Sequence, residues 1–192
     1  DLLFGDTLTG VTLMRMDAGL DTGDIIATRN VAIAPDDTSD SLTPKLTAAA
    51  KELVLKALPL WTTGNIVAAP QTREGVVLCQ LIERSDGQIN FEESAEAIYN
   101  RYRAFTPWPG IFTHWKKKDV FLRIKLLDIL PLKAPHTDDV SLGQVFLSSA
   151  GLAVQTASGA LLLKTVQLEG KPKMLAKDFL NGNPDFIGAF LV

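Results

Sequence analysis

Two short strand-like segments stand near the start of the chain. In residues 10–16, GVTLMRM, Val11 and Leu13 occupy every second position, and a period of two is typical of a β-strand with one buried face. A second β-rich run, DIIATRNVAIA, covers residues 24–34. The sequence therefore predicts two strands that flank a loop at residues 17–23.

The period then changes to that of a helix. Apolar residues recur at spacings of three and four, which marks one face of an α-helix: Leu42, Leu46, Ala49, Leu53, Ala57 and Leu60. Thr38 or Ser41 can cap the start, and Pro44 is tolerated in a first turn. Gly64 should end the helix, and Pro59 should fray or bend its last turn.

Residues 68–86 show no clear period and contain Pro70 and Gly75. We interpret them as a linker with one extended piece at most. A short helix is predicted at residues 94–105, and a last helical turn or two at residues 174–180.

The second half is otherwise β-rich. Five short runs rich in β-branched and aromatic residues are separated by turn formers, at residues 110–117, 119–130, 143–149, 152–157 and 159–168. Strands at such close spacing need a sandwich or a small barrel to protect their edges, and we predict an antiparallel β-barrel of the five-stranded OB type. Such barrels often carry nucleic acid, although a fold alone does not establish a function.

Composition narrows the class of protein. The chain has 192 residues, of which 46% are hydrophobic and 21% charged, as in globular proteins. The single cysteine, Cys79, excludes an internal disulfide framework and suits a reducing compartment; we expect it to be inert packing. The longest apolar runs are too short to span a bilayer, and no basic-then-apolar leader opens the chain. We expect a cytoplasmic protein. Because the sequence starts at Asp1 inside an apolar segment, we also expect a fragment.

Charge is distributed unevenly between the two halves. Residues 1–86 contain 7 Lys+Arg and 12 Asp+Glu, a net of −5, whereas residues 87–192 contain 12 and 10, a net of +2. The second half is the better candidate for an anionic partner, although an ordinary solvated surface can carry the same balance.

The loop GLDTGD, residues 19–24, places two aspartates around a Thr-Gly pair. Taken by itself, such a sequence is typical of aspartates that hydrogen-bond their own backbone in a turn. A carboxylate on a glycine-flanked loop also suits proton transfer. The local sequence leaves both interpretations open.

Four ordered motifs carry a resemblance to a known family. GVTLMRMDAGLDTGDI, PDDTSDSLTPKL, AIYNRYRAFTPWPGIFT and LEGKPKMLAKDFLNGNPDF resemble, in that order and spacing, the methionyl-tRNA formyltransferase family. The resemblance implies an α/β remnant of a Rossmann-like formyltransferase domain at residues 1–67, a linker at 68–86 and a complete OB-like tRNA-binding barrel at 87–192. The front of the family pattern, with its Leu-Leu-Pro motif, has no counterpart here.

The resemblance also implies a site in the loop. By the match of DAGLDTG, Asp21 is the catalytic carboxylate, and the formyl donor is 10-formyltetrahydrofolate, with no metal. The implied folate-binding loop comprises Met16, Asp17, Ala18, Gly19, Leu20 and Gly23. The family's catalytic Asn and His fall in the missing front part, and we expect neither His114 nor His136 to replace them. On this basis we expect residues 1–192 alone to be catalytically silent.

A second set of residues is implied for the initiator methionyl-tRNA. It consists of basic residues of the linker and the barrel, with Arg84 in place of the family's linker lysine: Arg84, Arg101, Arg103, Lys116, Lys117, Lys118, Arg123, Lys125, Lys171 and Lys173. Repeated cations suit a phosphate backbone. Lys116–Lys118 also fit a solvated hairpin tip, and we interpret Trp108, in TPWPG, as a packed aromatic between prolines.

Three functions remain in competition. The first is a part of a monomeric methionyl-tRNA formyltransferase. The second is a related folate-dependent formyltransferase or a formyltetrahydrofolate hydrolase domain, acting on a sugar amine or on water. The third is a free-standing RNA-binding module. The ending at residues 169–186 favours the first over the second, and the α/β piece at residues 1–67 disfavours the third.

Overall fold

A computed structural model describes residues 1–72, 74–133 and 140–192. The chain divides into two compact units. The first consists of Asp6–Leu81 together with Asp1, and the second of Ile82–Val192 together with Leu2–Gly5.

The first unit contains a β-hairpin and a long helix. Strands β1 (Leu8–Met14) and β2 (Ile25–Ala32) pair antiparallel and are followed by helix α1 (Ser39–Thr62). The two predicted strands and the helix are confirmed. The sheet gains one further bridge, between Ile25 and Ala69. Because the described strands here are antiparallel, the parallel sheet of a Rossmann-like domain stays part of the resemblance only.

The ends of α1 follow from its sequence. The Thr38 side chain accepts from the Ser41 amide while the Ser41 hydroxyl accepts from the Thr38 amide, which forms a capping box. The helix continues past Pro59 for almost a turn, and the Pro59 carbonyl accepts from the Thr63 amide at 3.2 Å. Gly64 follows with a φ of 75°, a conformation that favours glycine, and the predicted stop is confirmed.

The second unit is built on an antiparallel sheet. Its strands pair in the order β3-β4-β7-β6-β5, and β8 adds to β7. The elements are α2 (Ala95–Phe105), β3 (Ile111–Lys117), β4 (Val120–Leu132), β5 (Val145–Ser148), β6 (Gly151–Gln155), β7 (Ala160–Leu168), β8 (Met174–Leu175) and α3 (Ala176–Gly182). Both predicted helices and the five predicted strands are confirmed.

The predicted closed barrel is not confirmed, because the sheet path within the described residues is open, with β3 and β5 as its two ends. The segment 188–192 hydrogen-bonds to both ends instead. Val192 exchanges two backbone hydrogen bonds with His114 of β3, at 2.8 and 2.9 Å. At the other end, Gly188 donates to the Val145 carbonyl at 2.8 Å. One terminal segment thereby covers parts of both free edges.

The core of the second unit lies between this sheet and its helices. Trp115 of β3, Phe179 of α3 and Phe186 are all at most 2% exposed and meet edge to face, with ring centroids 4.9 to 6.0 Å apart. Ile98 of α2 and Ile124 of β4 are completely buried in the same cluster. This packing fixes which face of β3 and β4 remains available to a partner.

Candidate functional site

The loop between β1 and β2 is closed at its neck by Arg15 and Asp24. The Arg15 amide donates to the Asp24 carbonyl at 2.9 Å, and the two side chains form an ion pair at 2.8 Å. Gly23 is buried beside them, and a Cβ at this position would collide with the Arg15 carbonyl oxygen. The close approach explains why a glycine stands here.

Asp17 braces the tip of the loop. Its Oδ1 accepts from the Gly19 amide at 3.0 Å and from the Thr22 hydroxyl at 2.7 Å. The Thr22 hydrogen bond, followed by that of Gly19, holds the pKa of the Asp17 carboxyl below its usual value, because both stabilise the charged form. Asp17 therefore shapes the loop.

Asp21 differs from its two neighbours in the loop. Its backbone has a φ of 54°, in the left-handed region that Asp and Asn tolerate better than most residues. Its side chain is exposed, and no hydrogen bond or ion pair ties the carboxylate to another of the described residues. Asp17 and Asp24 thus have structural partners, whereas the Asp21 carboxylate remains available to a ligand.

The remaining loop residues present a surface that a flat ligand could cover. Met16 and Leu20 are 87% and 88% exposed, and Ala18 and Gly19 between them are exposed as well. Apolar side chains beside exposed peptide groups suit a ring system with polar edges, such as a pterin. All four residues belong to the folate-binding loop that the resemblance implies.

Sequence reasoning missed Gln71, which it assigned to the linker. The Gln71 Nε2 donates to the Asp21 carbonyl at 2.9 Å and to the Gly23 carbonyl at 2.6 Å. The contact depends on the bridge between Ile25 and Ala69, which aligns two segments far apart in sequence. No local pattern signals a single bridge of this kind.

Three of the predicted basic residues share one face of the β3–β4 ribbon. The register of the two strands and their period of two place Lys116, Arg123 and Lys125 on the face opposite the buried Trp115 and Ile124. A fourth, Arg84, lines a cavity of about 270 Å³ together with Arg123 and Lys125. The cavity is lined by Arg84, Arg123, Lys125, Gln167, Glu169 and Gly170. We call Arg84, Lys116, Arg123 and Lys125 the cationic face.

Arg123 of the cationic face stacks on an aromatic ring. Its guanidinium lies 3.6 Å from the centre of the Phe112 ring, a stacked arrangement that also restricts the side chain. Its Nε is buried and has no hydrogen-bond partner within the described part of the chain. Arg123 is thus a fixed cation at the wall of the cavity.

Other predicted basic residues lie elsewhere. Arg103 is only 5% exposed and donates to the Asn100 side chain at 2.6 Å, so its expected place on an RNA-facing surface is wrong. Arg101 pairs with Glu93 at 3.1 Å. Lys117 pairs with Asp185 at 3.2 Å. Three further lysines are exposed and lie outside the strands: Lys118, Lys171 and Lys173.

Three further expectations have different outcomes. Trp108 is 55% exposed, so the interpretation as a packed aromatic is wrong. Cys79 is also exposed rather than packed. His114, which we do not expect to replace the catalytic His, is half-buried on β3 and packs edge to face with Phe112, with ring centroids 5.7 Å apart. His136 lies outside the described residues.

The described ranges also bear on membranes and metals. Among these residues, no helix combines the length and apolar character needed to cross a membrane. The same residues include no group of three or more His, Cys, Asp or Glu side chains that could hold a metal ion.

Family models account for most of the chain. The model "Formyl transferase, C-terminal domain" matches residues 81–184, more than half of the sequence, and the model "Formyl transferase" matches residues 1–58. The chain belongs to the formyl transferase family. The resemblance stated from the four motifs is thereby confirmed.

Curated relatives of similar sequence include methionyl-tRNA formyltransferases. The methionyl-tRNA formyltransferase of Myxococcus xanthus is 43% identical over 180 residues, which is 93% of this chain and 55% of that protein. The protein of that name from Koribacter versatilis is 40% identical over 182 residues, 94% of this chain and 56% of that protein. The chain therefore spans about half the length of the curated relatives it matches.

Two solved structures share the fold. HypX from Aquifex aeolicus, in complex with tetrahydrofolic acid, aligns with a TM-score of 0.61 at 20% identity, covering 93% of this chain and 31% of that one. The N-formyltransferase from Helicobacter canadensis, in complex with folinic acid and dTDP-3-aminofucose, aligns with a TM-score of 0.63 at 17% identity, covering 90% and 58%. At these identities the likeness concerns the fold alone.

Proposed function

We propose that this chain serves the transfer of a formyl group from 10-formyltetrahydrofolate to the amino group of methionyl initiator tRNA, in the cytoplasm. The relatives at 40% and 43% identity are named methionyl-tRNA formyltransferase. The observation that carries the proposal is the loop at residues 15–24, in which the side chains of Asp17 and Asp24 have partners whereas the Asp21 carboxylate has none among the described residues. A carboxylate left free on a braced loop is suited to work on a ligand.

The chemistry assigned to the loop belongs mainly to Asp21. Bound 10-formyltetrahydrofolate would supply the formyl carbon. The acceptor amine bonds to the formyl carbon as the bond between that carbon and the folate nitrogen breaks, and the proton that the amine loses ends on the departing nitrogen. A carboxylate can relay that proton or hold a nearby imidazole in its charged form. The exposed stretch from Met16 to Leu20 would cover one side of the folate ring. An Asn and a His complete this site in the family pattern, and neither falls in the four motifs matched here.

The cationic face is the surface we assign to the RNA. Arg84, Arg123 and Lys125 line one cavity, and Lys116 lies on the same face of the β3–β4 ribbon. The Arg123 guanidinium already stacks on the Phe112 ring. Cations in such an array attract phosphates without reading sequence. Lys118, Lys171 and Lys173 are exposed and extend the charge. We leave Arg103 out because it is buried, and we assign no RNA contact to Arg101 or Lys117, which have acidic partners.

A sugar amine is the second candidate acceptor, because the Helicobacter canadensis structure of similar fold contains dTDP-3-aminofucose. Formyl transfer from 10-formyltetrahydrofolate should be measured with the protein encoded by the complete gene, offering methionyl initiator tRNA, a dTDP-amino sugar, or water alone. We expect formyl-methionyl-tRNA as the main product. A preference for the sugar, or release of formate without an acceptor, would overturn the proposed function. That residues 1–192 alone are silent stays a prediction, which the same assay tests.

A further inference from the structure

We propose that Gln71 is a positioning residue for the reaction, which fixes the backbone of the loop and through it the direction of the Asp21 carboxylate. The inference rests on the proposed function of this loop. It concerns only residues of the first unit.

One side-chain amide holds two carbonyl groups. The Gln71 Nε2 lies 2.9 Å from the Asp21 oxygen and 2.6 Å from the Gly23 oxygen, and a primary amide has two hydrogens to donate. The two carbonyls belong to the Asp21–Thr22 and Gly23–Asp24 peptide units, one before Thr22 and one after Gly23. Gln71 therefore orients the main chain on both sides of the residue that follows Asp21 and braces Asp17.

The position of Gln71 is set by strand pairing. Ile25 and Ala69 exchange two backbone hydrogen bonds, at 2.7 and 2.9 Å, as an antiparallel pair. Because the pairing is antiparallel, the same register brings Gly23, two residues before Ile25, opposite Gln71, two residues after Ala69. Gly23 is pressed against the Arg15 carbonyl on its other side. The end of the loop is thereby held between Arg15 and Gln71.

Asp21 depends on this support more than an ordinary loop residue would. Its φ of 54° is uncommon for a residue with a side chain. Its carboxylate has no partner among the described residues that could orient it. The direction in which the carboxylate points is therefore decided by the backbone, and the backbone is held by Gln71.

The matched test uses Gln71→Glu and Gln80→Glu, the same chemical change in the same segment. In Gln71→Glu, a charged carboxylate would face two carbonyl oxygens with no hydrogen to donate, whereas the protonated acid regains one donor. In the complete protein we expect Gln71→Glu to lower kcat at least about tenfold at pH 8, with the KM for methionyl-tRNA changed less than about threefold. The deficit relative to the unmodified protein should shrink as the pH is lowered towards 5. Gln80 is exposed, and no hydrogen bond ties its side chain to another described residue, so Gln80→Glu should retain normal kcat.

A second readout does not depend on activity. In the 192-residue chain, Gln71→Ala should accelerate amide hydrogen exchange at Arg15 and Gly19, whose amides donate to Asp24 and Asp17, and leave exchange in β7 unchanged. Unchanged exchange at both amides would overturn the inference, as would normal, pH-independent kcat in Gln71→Glu when Asp21→Asn is inactive. If Asp21→Asn is itself fully active, the proposed function has failed instead, and the exchange measurement still decides whether Gln71 fixes the loop.

Discussion

At the scale of single residues, like side chains in one loop have unlike roles. Asp17, Asp21 and Asp24 all stand near glycines, and the sequence assigned Asp21 to catalysis only through the family resemblance. The structure distinguishes them physically: Asp17 accepts two hydrogen bonds, Asp24 pairs with Arg15, and Asp21 has a left-handed backbone. Such differences depend on which atoms meet in space, so a turn propensity could not give them.

Asp37 should control the acid stability of the first unit. It is 4% exposed and accepts hydrogen bonds from Lys45, Ser41 and the Ala34 amide at 2.6 to 2.8 Å. The Lys45 hydrogen bond, followed by that of Ser41, lowers its pKa to about 2. Since the folded pKa lies below the ordinary 3.8, this stabilisation is complete above about pH 4 and is lost as the pH falls towards 2.

Unfolding of the first unit by urea between pH 6 and pH 2 checks this expectation. Asp37→Asn should cost roughly 1–3 kcal/mol at pH 6, because charged acceptors are replaced by a neutral one. The difference from the unmodified chain should disappear towards pH 2. Asp36→Asn, at the exposed neighbouring position, should have little effect at any pH. An equal cost for both variants would contradict the assignment.

At the scale of elements, local patterns predicted local structure. The spacing of Leu42, Ala49 and Ala57 predicted α1, and these three residues are the buried ones in the helix. Alternation predicted β1, and a run of β-rich residues predicted β2. The prediction of a closed barrel failed on non-local contacts. The end strands of the sheet in the second unit, β3 and β5, do not pair with each other, and the segment 188–192 hydrogen-bonds to both of them. A pairing between one terminal segment and two distant strands leaves no periodic signal.

Gly143 tests the contact of that segment. Gly143 and Gly170 both have a φ of 72°, but a Cβ at Gly143 would lie 2.5 Å from the Leu191 carbonyl oxygen, whereas one at Gly170 would meet nothing within 4 Å. Both alanine variants incur about 1–2 kcal/mol for the left-handed backbone. Gly143→Ala should lose at least about 1 kcal/mol more, since the Leu191 amide also donates to the Gly143 carbonyl. Urea unfolding followed by an NMR signal from β6 measures the difference, and equal losses would mean that the segment contributes little.

At the scale of the whole molecule, the two halves of the sequence differ in net charge. Residues 1–86 carry a net charge of −5 and residues 87–192 a net charge of +2. The sequence predicted that the second half is the more basic one, but the predicted RNA-binding residues included Arg103, which is buried. The sequence could not show that Arg84 and Arg123 line one cavity. Burial of an arginine beside Asn100 depends on helix packing, which composition does not record.

RNA binding should therefore depend on salt and on the cationic face. Labelled tRNA titrated with the 192-residue chain at rising salt should show an affinity that falls steeply. Lys125→Ala should weaken binding and reduce the slope of log affinity against log salt by about one. Lys164→Ala is the control, because Lys164 is exposed but pairs with Asp128 at 3.5 Å and does not line the cavity. Affinity independent of salt, or equal effects of the two variants, would contradict the assignment.

The most direct test of the central claim is the turnover of Asp21→Asn beside Asp24→Asn, in the protein encoded by the complete gene. Asparagine tolerates the left-handed backbone of position 21, so the change removes the charge and keeps the loop. Formyl transfer to methionyl-tRNA at saturating 10-formyltetrahydrofolate should fall by about 10² or more in Asp21→Asn, with folate binding retained. Asp24→Asn breaks only an exposed ion pair with Arg15 and should change turnover by no more than a few-fold. Near-normal turnover in Asp21→Asn, or an equal defect in Asp24→Asn, would contradict the catalytic role of Asp21.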